Sequence, residues 1–270
     1  MILALGLSVL LSDYCRQILR AIKYEILLGQ PIINGIPRDP IACTSLRGRN
    51  TLIILAFGQS NAANYGQTRY RPAGAVFSFY QGRCYRAADP MPGADGGGGS
   101  VWTRLGERII ESRFADKVVF ATIGVGGSEI ARWSSGGDLH SRLLDAVAGL
   151  SAAGLQPTHL LWQQGEADAV RGTDSLTYRI SFLNMVRSVH THGVSAPIYV
   201  AVATYCYGRR SSEVQQAQRE LVNVRNRIYP GPDTDILVSD ELRYDGCHFT
   251  DIGLNRSADT WLLSLQLHPE

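Results

Sequence analysis

The stretch LIILAFGQSN, residues 52–61, decides how the chain is interpreted. Six apolar residues end at Gly58, and Gln59, Ser60 and Asn61 follow at once. A short continuous apolar run bounded by glycine is typical of a strand that is buried on both faces of a sheet. Because glycine permits a tight turn, this strand would present three polar side chains at one edge of that sheet.

Similar apolar segments recur along the chain and alternate with amphipathic ones. The predicted strands are Thr51–Phe57, Val118–Ile123, His159–Gln163, Ile198–Thr204 and Asp235–Val238. The predicted helices are Val101–Arg113, Leu139–Ala153, Ser175–His192, Ser212–Ile228 and Asp251–Leu267. Short apolar strands that alternate with helices are typical of a parallel sheet covered on both faces. We therefore expect an α/β fold, a three-layer αβα sandwich with a mainly parallel five-stranded sheet.

The length and composition fit one large globular domain. The chain has 270 residues, of which 45% are hydrophobic and 19% are charged. Residues 29–50 hold three prolines and few periodic apolar positions, which is typical of a linker. We predict an N-terminal helix and linker in residues 1–50 and the main domain in residues 51–270. The net charge of +2 gives no basic field, so we expect no nucleic-acid partner.

The first 28 residues allow two interpretations. An apolar run of about ten residues is too short to span a bilayer, and no clear secretory signal is present. Residues 14–28 (YCRQILRAIKYEILL) can form an amphipathic helix. We favour a helix that packs on its own domain, or a degenerate signal, and membrane contact through residues 1–28 is the alternative.

Residues 82–100 (GRCYRAADPMPGADGGGGS) contain a run of four glycines and are predicted to form a long loop rather than a core element. Long loops in compact domains are often functional. The loop is either a lid that faces the substrate or a flexible surface segment.

Ligand sites of such sheets lie beyond the carboxyl ends of the strands, so the residues after each strand are candidates. Ser60 follows the first strand, where it is either a nucleophile whose own N–H helps to hold an oxyanion or an ordinary helix cap. After the second strand, residues 124–128 (GVGGS) either bring backbone N–H groups close to a ligand or form a plain turn.

The third predicted strand ends in residues 162–168 (WQQGEAD). A carboxamide at this place can donate an N–H to a developing negative charge. Glu166 and Asp168 are either structural, near a helix N-terminus, or a glycosidase pair, which we rank low because no partner signal accompanies them.

The last predicted strand is followed by Asp245 and His248, which are three residues apart. In a helical turn this spacing places both on one side, so the carboxylate can accept from one imidazole nitrogen and leave the other for the Ser60 proton. A capping aspartate beside a surface histidine is the alternative. No further His or Cys cluster completes a ligand set, so we expect no metal site.

Read together, the motifs GQSN, GVGGS, WQQGEAD and DGCH resemble the SGNH hydrolase superfamily, and within it the sialate O-acetylesterase-like branch that includes carbohydrate esterase family six. The resemblance covers roughly residues 51–267, with the motifs in the same order. It implies a flavodoxin-like SGNH hydrolase fold.

The resemblance also implies roles for residues. Ser60 matches the nucleophile, His248 the general base and Asp245 the acid that orients it. The GVGGS motif matches the block that supplies an oxyanion-hole glycine, either Gly126 or Gly127. Gln164 matches the carboxamide of the oxyanion hole, to which Ser60 also contributes. The wider superfamily has a Gly-x-Asn-Asp motif where this chain has Gln-Gln-Gly-Glu, which leaves Gln163 as a rival donor.

The implied activity is that of a serine esterase that removes acetyl groups from O-acetylated carbohydrate of sialate, xylan or exopolysaccharide type, through an acetyl-enzyme at Ser60. The implied partner is the acetylated saccharide, and no cofactor is expected. Trp133, Tyr80 and the 82–100 loop are candidates for contact with the sugar, with burial in the core as the alternative for each aromatic residue. A lipid or thioester acyl hydrolase of the same fold is the first alternative function, and a non-catalytic carbohydrate-binding relative is the second.

Five cysteines are present, and none forms a Cys-x-x-Cys pair, which disfavours a structural zinc site. Cys206 comes just after the fourth predicted strand and Cys247 adjoins His248, so both are expected at one edge of the sheet. They either form a disulfide or remain two free thiols. A disulfide favours an exported or periplasmic location over the cytoplasm. The sequence does not specify an oligomeric state.

Overall fold

The computed structural model describes residues 32–33 and 36–269. The chain divides into two compact units, residues 1–41 and 42–270. The described part of the first unit holds three two-residue strands, β1 (Ile32–Ile33), β2 (Ile36–Pro37) and β3 (Pro40–Ile41), and β1 pairs antiparallel with β2. The segment predicted as a linker therefore contains short strands. The helix predicted over residues 14–28, with its membrane alternative, lies outside the described residues.

The second unit is built on a mainly parallel sheet. Its strands among the described residues are β4 (Thr51–Gly58), β5 (Val76–Tyr80), β6 (Arg83–Arg86), β7 (Lys117–Thr122), β8 (His159–Gln163), β9 (Ile198–Val202) and β10 (Ile228–Asp233). Within this unit they are ordered β10-β9-β8-β4-β7-β5-β6. The pairings are parallel except for β5 with β6. The predicted fold class is confirmed, but the sheet is larger than the predicted five strands.

Two strands that were not predicted explain the larger sheet, and one predicted strand lies at other residues. β5 was not predicted, and β6 lies inside the segment predicted as a loop, where Cys84 and Tyr85 are buried. The last predicted strand, Asp235–Val238, is wrong: residues 234–236 form a 3-10 helix, and the strand comes earlier as β10. β10 contains Pro230 and Pro232, which disfavour a strand in the sequence but are tolerated at a sheet edge.

The α-helices of the part of the chain that the structure describes are α1 (Val101–Glu111), α2 (Ile130–Trp133), α3 (His140–Ala152), α4 (Glu166–Arg171), α5 (Ser175–Thr191), α6 (Ser212–Glu220) and α7 (Asp251–Leu267). α1 packs against α7, and α5 packs against α6, α2 and α3. Within the described residues, no helix has the length and apolar character needed to cross a bilayer. The helix predicted over Ser212–Ile228 ends at Glu220, because a short 3-10 turn and then β10 follow.

β4 is buried on both faces, which accounts for its continuous apolar run. Ile54 and Ala56 belong to the same core cluster as Trp102 and Trp261 of the α1–α7 layer. Phe57 points to the other face, where its ring contacts Trp133 and Trp162. The carboxyl end of a rigid, central strand is therefore the position from which the Gln-Ser-Asn segment begins.

Candidate active site

The turn after β4 requires glycine. Gly58 has a φ of +140°, and a Cβ at this position would lie 2.0 Å from the carbonyl oxygen of Gln163. No other residue fits such a close approach to the neighbouring strand. Ser60 then begins a 3-10 helix, Ser60–Ala62, with only 5% of its surface exposed. The chain thus delivers Ser60 to the edge of the sheet in a fixed place.

Asp245 and His248 are hydrogen-bonded to each other, as the spacing predicts. The Nδ1 atom of His248 lies 2.6 Å from Oδ2 of Asp245. The backbone N–H groups of His248 and Cys247 donate to Oδ1 of the same carboxylate, at 2.7 and 2.9 Å. Burial alone would raise the pKa of Asp245, but these hydrogen bonds to its charged form outweigh burial and lower that pKa. Asp245 therefore stays ionised and fixes the orientation of the imidazole.

The loop that carries His248 is anchored by a buried arginine. Arg243 is 2% exposed, and its guanidinium donates to the carbonyl oxygens of Leu237 at 2.5 Å, Thr234 at 2.9 Å and Cys247. Burial lowers the pKa of Arg243, and the negative charge of nearby Glu166 opposes this shift. Arg243 thus connects three backbone carbonyl groups of the segment between residues 234 and 247.

A disulfide joins Cys206, after β9, to Cys247 in the same loop. Of the two alternatives for these cysteines, the structure has the bridge. A second disulfide, Cys43–Cys84, was not predicted. Asn61 adds a further connection, because its amide donates to the Cys247 carbonyl at 3.3 Å and to Oε1 of Glu166 at 2.7 Å. The segment that carries Ser60 and the loop that carries His248 are therefore directly linked.

Ser60 and His248 line the same cavity, of about 370 Å³. Gly126 and Gly127 also line it. The structure therefore brings together residues from the first and last predicted motifs, which are nearly two hundred positions apart in the chain, and adds the glycines of the second.

Backbone donors at this cavity are unused. Among the described residues, the N–H groups of Ser60, Gly126 and Gly127 donate to no protein acceptor. Gly126 also has a steric requirement, since a Cβ there would lie 2.5 Å from the hydroxyl of Tyr65. Unpaired N–H groups that converge on one cavity are the arrangement that stabilises an oxyanion.

Gln164 does not line the cavity, and this differs from the prediction that its side chain belongs to the oxyanion hole. The residue is fully buried, and its Nε2 donates to the Ser128 carbonyl at 2.9 Å and to Oδ2 of Asp168 at 2.5 Å. Its Oε1 accepts from the Tyr178 hydroxyl at 3.0 Å. The rival Gln163 is fully buried as well, and its Oε1 accepts from Trp261 on the opposite layer. Neither carboxamide is placed to meet a substrate.

Gln59 is the carboxamide that lines the cavity. Its Oε1 accepts from the backbone N–H groups of Gly165 at 3.2 Å and Ala167 at 3.0 Å, and from Nε2 of Gln164 at 3.3 Å. These donors fix which end of the amide is oxygen. Among the described residues, no acceptor takes the Nε2 protons of Gln59. The sequence placed Gln59 beside Ser60, but its position gave no sign of which way the amide points.

Glu166 lines the cavity, and burial shifts the pKa of its carboxyl group. It is 2% exposed, and burial raises its pKa to about 7 despite the hydrogen bond from Asn61. Its Oε2 has no partner among the described residues. Asp168 does not line the cavity; it accepts from the backbone N–H of Ile130 at 2.8 Å and from the Thr173 hydroxyl at 2.7 Å. The two carboxylates have separate surroundings, which disfavours a glycosidase pair.

Tyr65 is a cavity residue that the sequence did not indicate. Its ring stacks on the His248 imidazole, with centroids 5.2 Å apart. Burial and the charge of Asp95 raise its pKa, so the phenol stays neutral. The stacked phenol ring therefore restrains the face of the imidazole, while Asp245 holds its Nδ1 atom.

The three candidates for contact with the sugar lie in different surroundings. Trp133 is fully buried, and its indole N–H donates to the Ser128 hydroxyl, so it belongs to the core. Tyr80 lines a different cavity. In the 82–100 loop, Met91 and Ala94 are buried, and the Asn64 amide donates to both their carbonyl oxygens, so this part of the loop is tightly packed. Among the described residues, no cluster of three or more His, Cys, Asp or Glu side chains is arranged to hold a metal ion.

The sheet order, the layers and the site at the carboxyl end of the central strand define an SGNH hydrolase fold, as solved structures also indicate. A protein from Arabidopsis thaliana is similar with a TM-score of 0.67 and 17% identity, over 81% of this chain and 98% of that one. NanS is similar with a TM-score of 0.57 and 12% identity, over 80% and 97%. A carbohydrate acetylesterase from Xanthomonas citri has a TM-score of 0.51 and 17% identity, over 79% of this chain and 55% of that chain.

The amino-acid sequence assigns the chain to a family. The model of the carbohydrate esterase, sialic acid-specific acetylesterase family matches residues 50–256, and the chain belongs to this family. No curated protein sequence matches the chain. Family membership confirms the resemblance found in the four motifs and identifies a carboxylic ester hydrolase of the carbohydrate acetylesterase kind.

Proposed function

We propose that the protein is a serine esterase that removes acetyl groups from O-acetylated carbohydrate. One observation carries this proposal: a single cavity is lined by Ser60, by His248, whose Nδ1 is hydrogen-bonded to Asp245, and by Gly126 and Gly127, whose N–H groups donate to no acceptor among the described residues. Nucleophile, base and oxyanion donors are the three components that acyl transfer requires.

In the proposed mechanism, Ser60 Oγ attacks the acetyl carbonyl carbon while His248 Nε2 takes the hydroxyl proton. The Asp245 carboxylate holds Nδ1 and stabilises the imidazolium that forms. His248 then gives its proton to the sugar oxygen, which leaves as an alcohol. Water, deprotonated by the same nitrogen, attacks the acetyl-enzyme and releases acetate, and Ser60 regains its proton.

We assign the oxyanion hole to the N–H of Ser60, the N–H of Gly126 or Gly127, and Nε2 of Gln59. Gln59 takes the role that the resemblance gives to Gln164. Its support is that it lines the cavity and turns its oxygen away toward the start of α4, which leaves the amide protons for the substrate. Donors held in place before the reaction act without reorganisation.

The cavity favours a short acyl group over the lipid alternative. Its volume of about 370 Å³ is at the small end for ligand sites, and charged or polar residues such as Glu166, Arg171 and Gln59 line it. A long acyl chain requires a deeper apolar channel. The retained Ser60 and His248 argue against a non-catalytic carbohydrate-binding relative.

The test is acetate release from a panel of O-acetylated saccharides, with p-nitrophenyl acetate and p-nitrophenyl octanoate as model esters. We expect hydrolysis of acetyl esters, a low rate on octanoate, and a loss of at least a thousandfold in kcat for Ser60→Ala. The matched control is Ser257→Ala, since Ser257 is a fully buried serine on α7 that does not line the cavity. Acetate release that survives Ser60→Ala would overturn the mechanism, and faster octanoate hydrolysis would favour the lipid alternative.

We also propose an oxidising compartment, outside the cytoplasm. The support is the pair of disulfides, Cys43–Cys84 and Cys206–Cys247, since reducing compartments keep thiols unpaired. Non-reducing peptide mapping of protein from its native host tests this, and free thiols at all four positions would contradict it.

A further inference from the structure

A second cavity, of about 460 Å³, opens at the same edge of the sheet as the candidate active site. It lies at the carboxyl ends of β5 and β7, where Tyr80 and Thr122 line it. Its volume is within the range of sites that bind small molecules. None of the proposed catalytic residues lines it.

One face of α3 forms a wall of this cavity. Arg142, Asp145, Ala146 and Gly149 all line it, at the spacing that places residues on one side of a helix. The two small residues leave space, and the two charged residues supply hydrogen-bond donors and acceptors. Arg142 is held in position, because its Nη2 donates to the Gly93 carbonyl at 2.5 Å.

Tyr80 gives the cavity an aromatic wall. The residue is partly exposed, and its ring edge packs beside Gly93, where a Cβ would lie 3.2 Å from the ring. A sugar ring has an apolar C–H face and a rim of hydroxyl groups that both donate and accept. An aromatic ring next to a guanidinium and a carboxylate matches both features. Because one positive and one negative side chain line the cavity, the complementary ligand is a neutral sugar.

The two cavities are close along the sheet and along the chain. β7 lies between β4, which leads to Ser60, and β5, which leads to Tyr80, so the two strand ends are on the order of 10 Å apart. Ile123 lines the second cavity, and Gly126, three residues later, lines the first. Asp95 lies between the two, because its backbone bonds to Asn64 and Gly124 and its carboxylate lies 3.9 Å from Arg142.

We propose that the second cavity is a saccharide subsite, which binds a neutral sugar unit of an oligosaccharide whose acetyl ester is held at Ser60. The inference rests on the proposed function and extends it, since it identifies the substrate as an oligomer rather than a single acetylated sugar. The hydrolysis rate of short esters should then be independent of the second cavity.

The experiment compares p-nitrophenyl acetate with O-acetylated four-unit fragments of xylan, cellulose and chitin. Ala146→Trp fills the subsite and Tyr80→Ala removes its aromatic wall. The matched control is Ala148→Trp, on an exposed position of the same helix outside the cavity. We expect kcat/KM for the preferred fragment to fall about tenfold in both subsite variants through a higher KM, with p-nitrophenyl acetate within about twofold of wild type. The control should change neither value.

A loss of kcat/KM on both the fragment and p-nitrophenyl acetate, or on neither of them, would overturn the proposal of a subsite. If Tm shows that Ala146→Trp does not fold, Tyr80→Ala decides. A failure of the proposed function is distinguishable, because p-nitrophenyl acetate hydrolysis would then be independent of Ser60. In that case, calorimetric binding of the same fragments without O-acetyl groups, with the N-acetyl groups of chitin kept, to wild type and Tyr80→Ala decides the subsite: weaker binding by the variant supports it, and equal or absent binding of all three fragments contradicts it.

Discussion

At the scale of single residues, two glutamines with the same chemistry have different surroundings. Gln164 is fully buried in a network with Asp168 and Tyr178, whereas Gln59 lines the cavity with its oxygen already engaged. The side chain available to a substrate is therefore the one next to Ser60, and the buried one stabilises the surrounding loops.

Gln59→Glu should separate these roles, because a glutamate keeps the acceptor for the α4 N–H groups and loses the amide donor. We expect kcat on p-nitrophenyl acetate to fall about a hundred- to thousandfold, with little change in Tm. Gln164→Ala is the counterpart and should lower the free energy of unfolding by about 1–3 kcal/mol, since it leaves buried partners unpaired. A Gln59→Glu variant with normal kcat would remove Gln59 from the oxyanion hole.

The sequence was sufficient to predict that Ser60 and His248 lie near each other and that Asp245 bonds to His248, because each follows a strand or has a diagnostic spacing; the structure places Ser60 and His248 in one cavity and shows the Asp245–His248 hydrogen bond, and their catalytic roles stay a prediction. It was not sufficient to choose among Gln59, Gln163 and Gln164. That choice depends on the direction of each side chain relative to neighbouring loops, which short-range patterns do not encode. Tyr65 was missed for the same reason, since its contact with His248 joins residues far apart in the chain.

At the scale of elements, the two disulfides can be compared by removing each in a matched double variant. Each joins cysteines separated by 41 residues, so the loss of loop-closure entropy in the unfolded chain is the same. They differ in location, because only Cys206–Cys247 is attached to the loop of His248.

The double variants Cys206→Ser/Cys247→Ser and Cys43→Ser/Cys84→Ser should each lose roughly 2–4 kcal/mol of stability in denaturant unfolding. Only the first should lower kcat/KM on p-nitrophenyl acetate, by about tenfold, since small displacements of a catalytic group are costly. Assays are made below the lower Tm of the two. Equal loss of activity in both would show that the bridge does not position His248.

Elements with a clear apolar period were predicted well, and those with mixed signals were not. His159–Gln163 and Asp251–Leu267 have the predicted bounds, since a polar or capping residue delimits each. β10 was assigned to the wrong residues because its two prolines disguise an edge strand. Local composition thus indicated the central strand β4 more reliably than the edge strand β10. An edge strand has no partner strand on one side, so its N–H groups on that side need not donate and prolines are tolerated.

At the scale of the whole molecule, buried acids make stability depend on pH. Burial raises the pKa of Glu166 from 4.5 to about 7, and that of Asp89 from 3.8 to about 7. In each case the fold favours the protonated form, so stability declines as pH rises from the unfolded to the folded pKa. His159 acts in the opposite direction, because burial lowers its pKa to about 4 and the unfolded chain takes up the proton first.

Glu166→Gln isolates one of these contributions. The difference in unfolding free energy between wild type and variant should shift in favour of the variant by on the order of 1–3 kcal/mol from pH 4.5 to pH 7 and stay constant above that. Chemical denaturation across this range measures it, and the contributions of Asp89 and His159 cancel in the difference. Parallel stability curves would show that folding does not raise the pKa of Glu166.

The position of the Tyr65 ring has a consequence for how this enzyme can diversify. The Tyr65 side chain lies next to both Gly126 and the His248 imidazole. A bulkier residue at position 126 would push the ring, and the displaced ring would carry His248 with it. If Gly126 and His248 act as proposed, substitutions at these two positions are therefore not independent, and a lineage that changes residue 126 must adjust the His248 loop in the same step to keep its turnover.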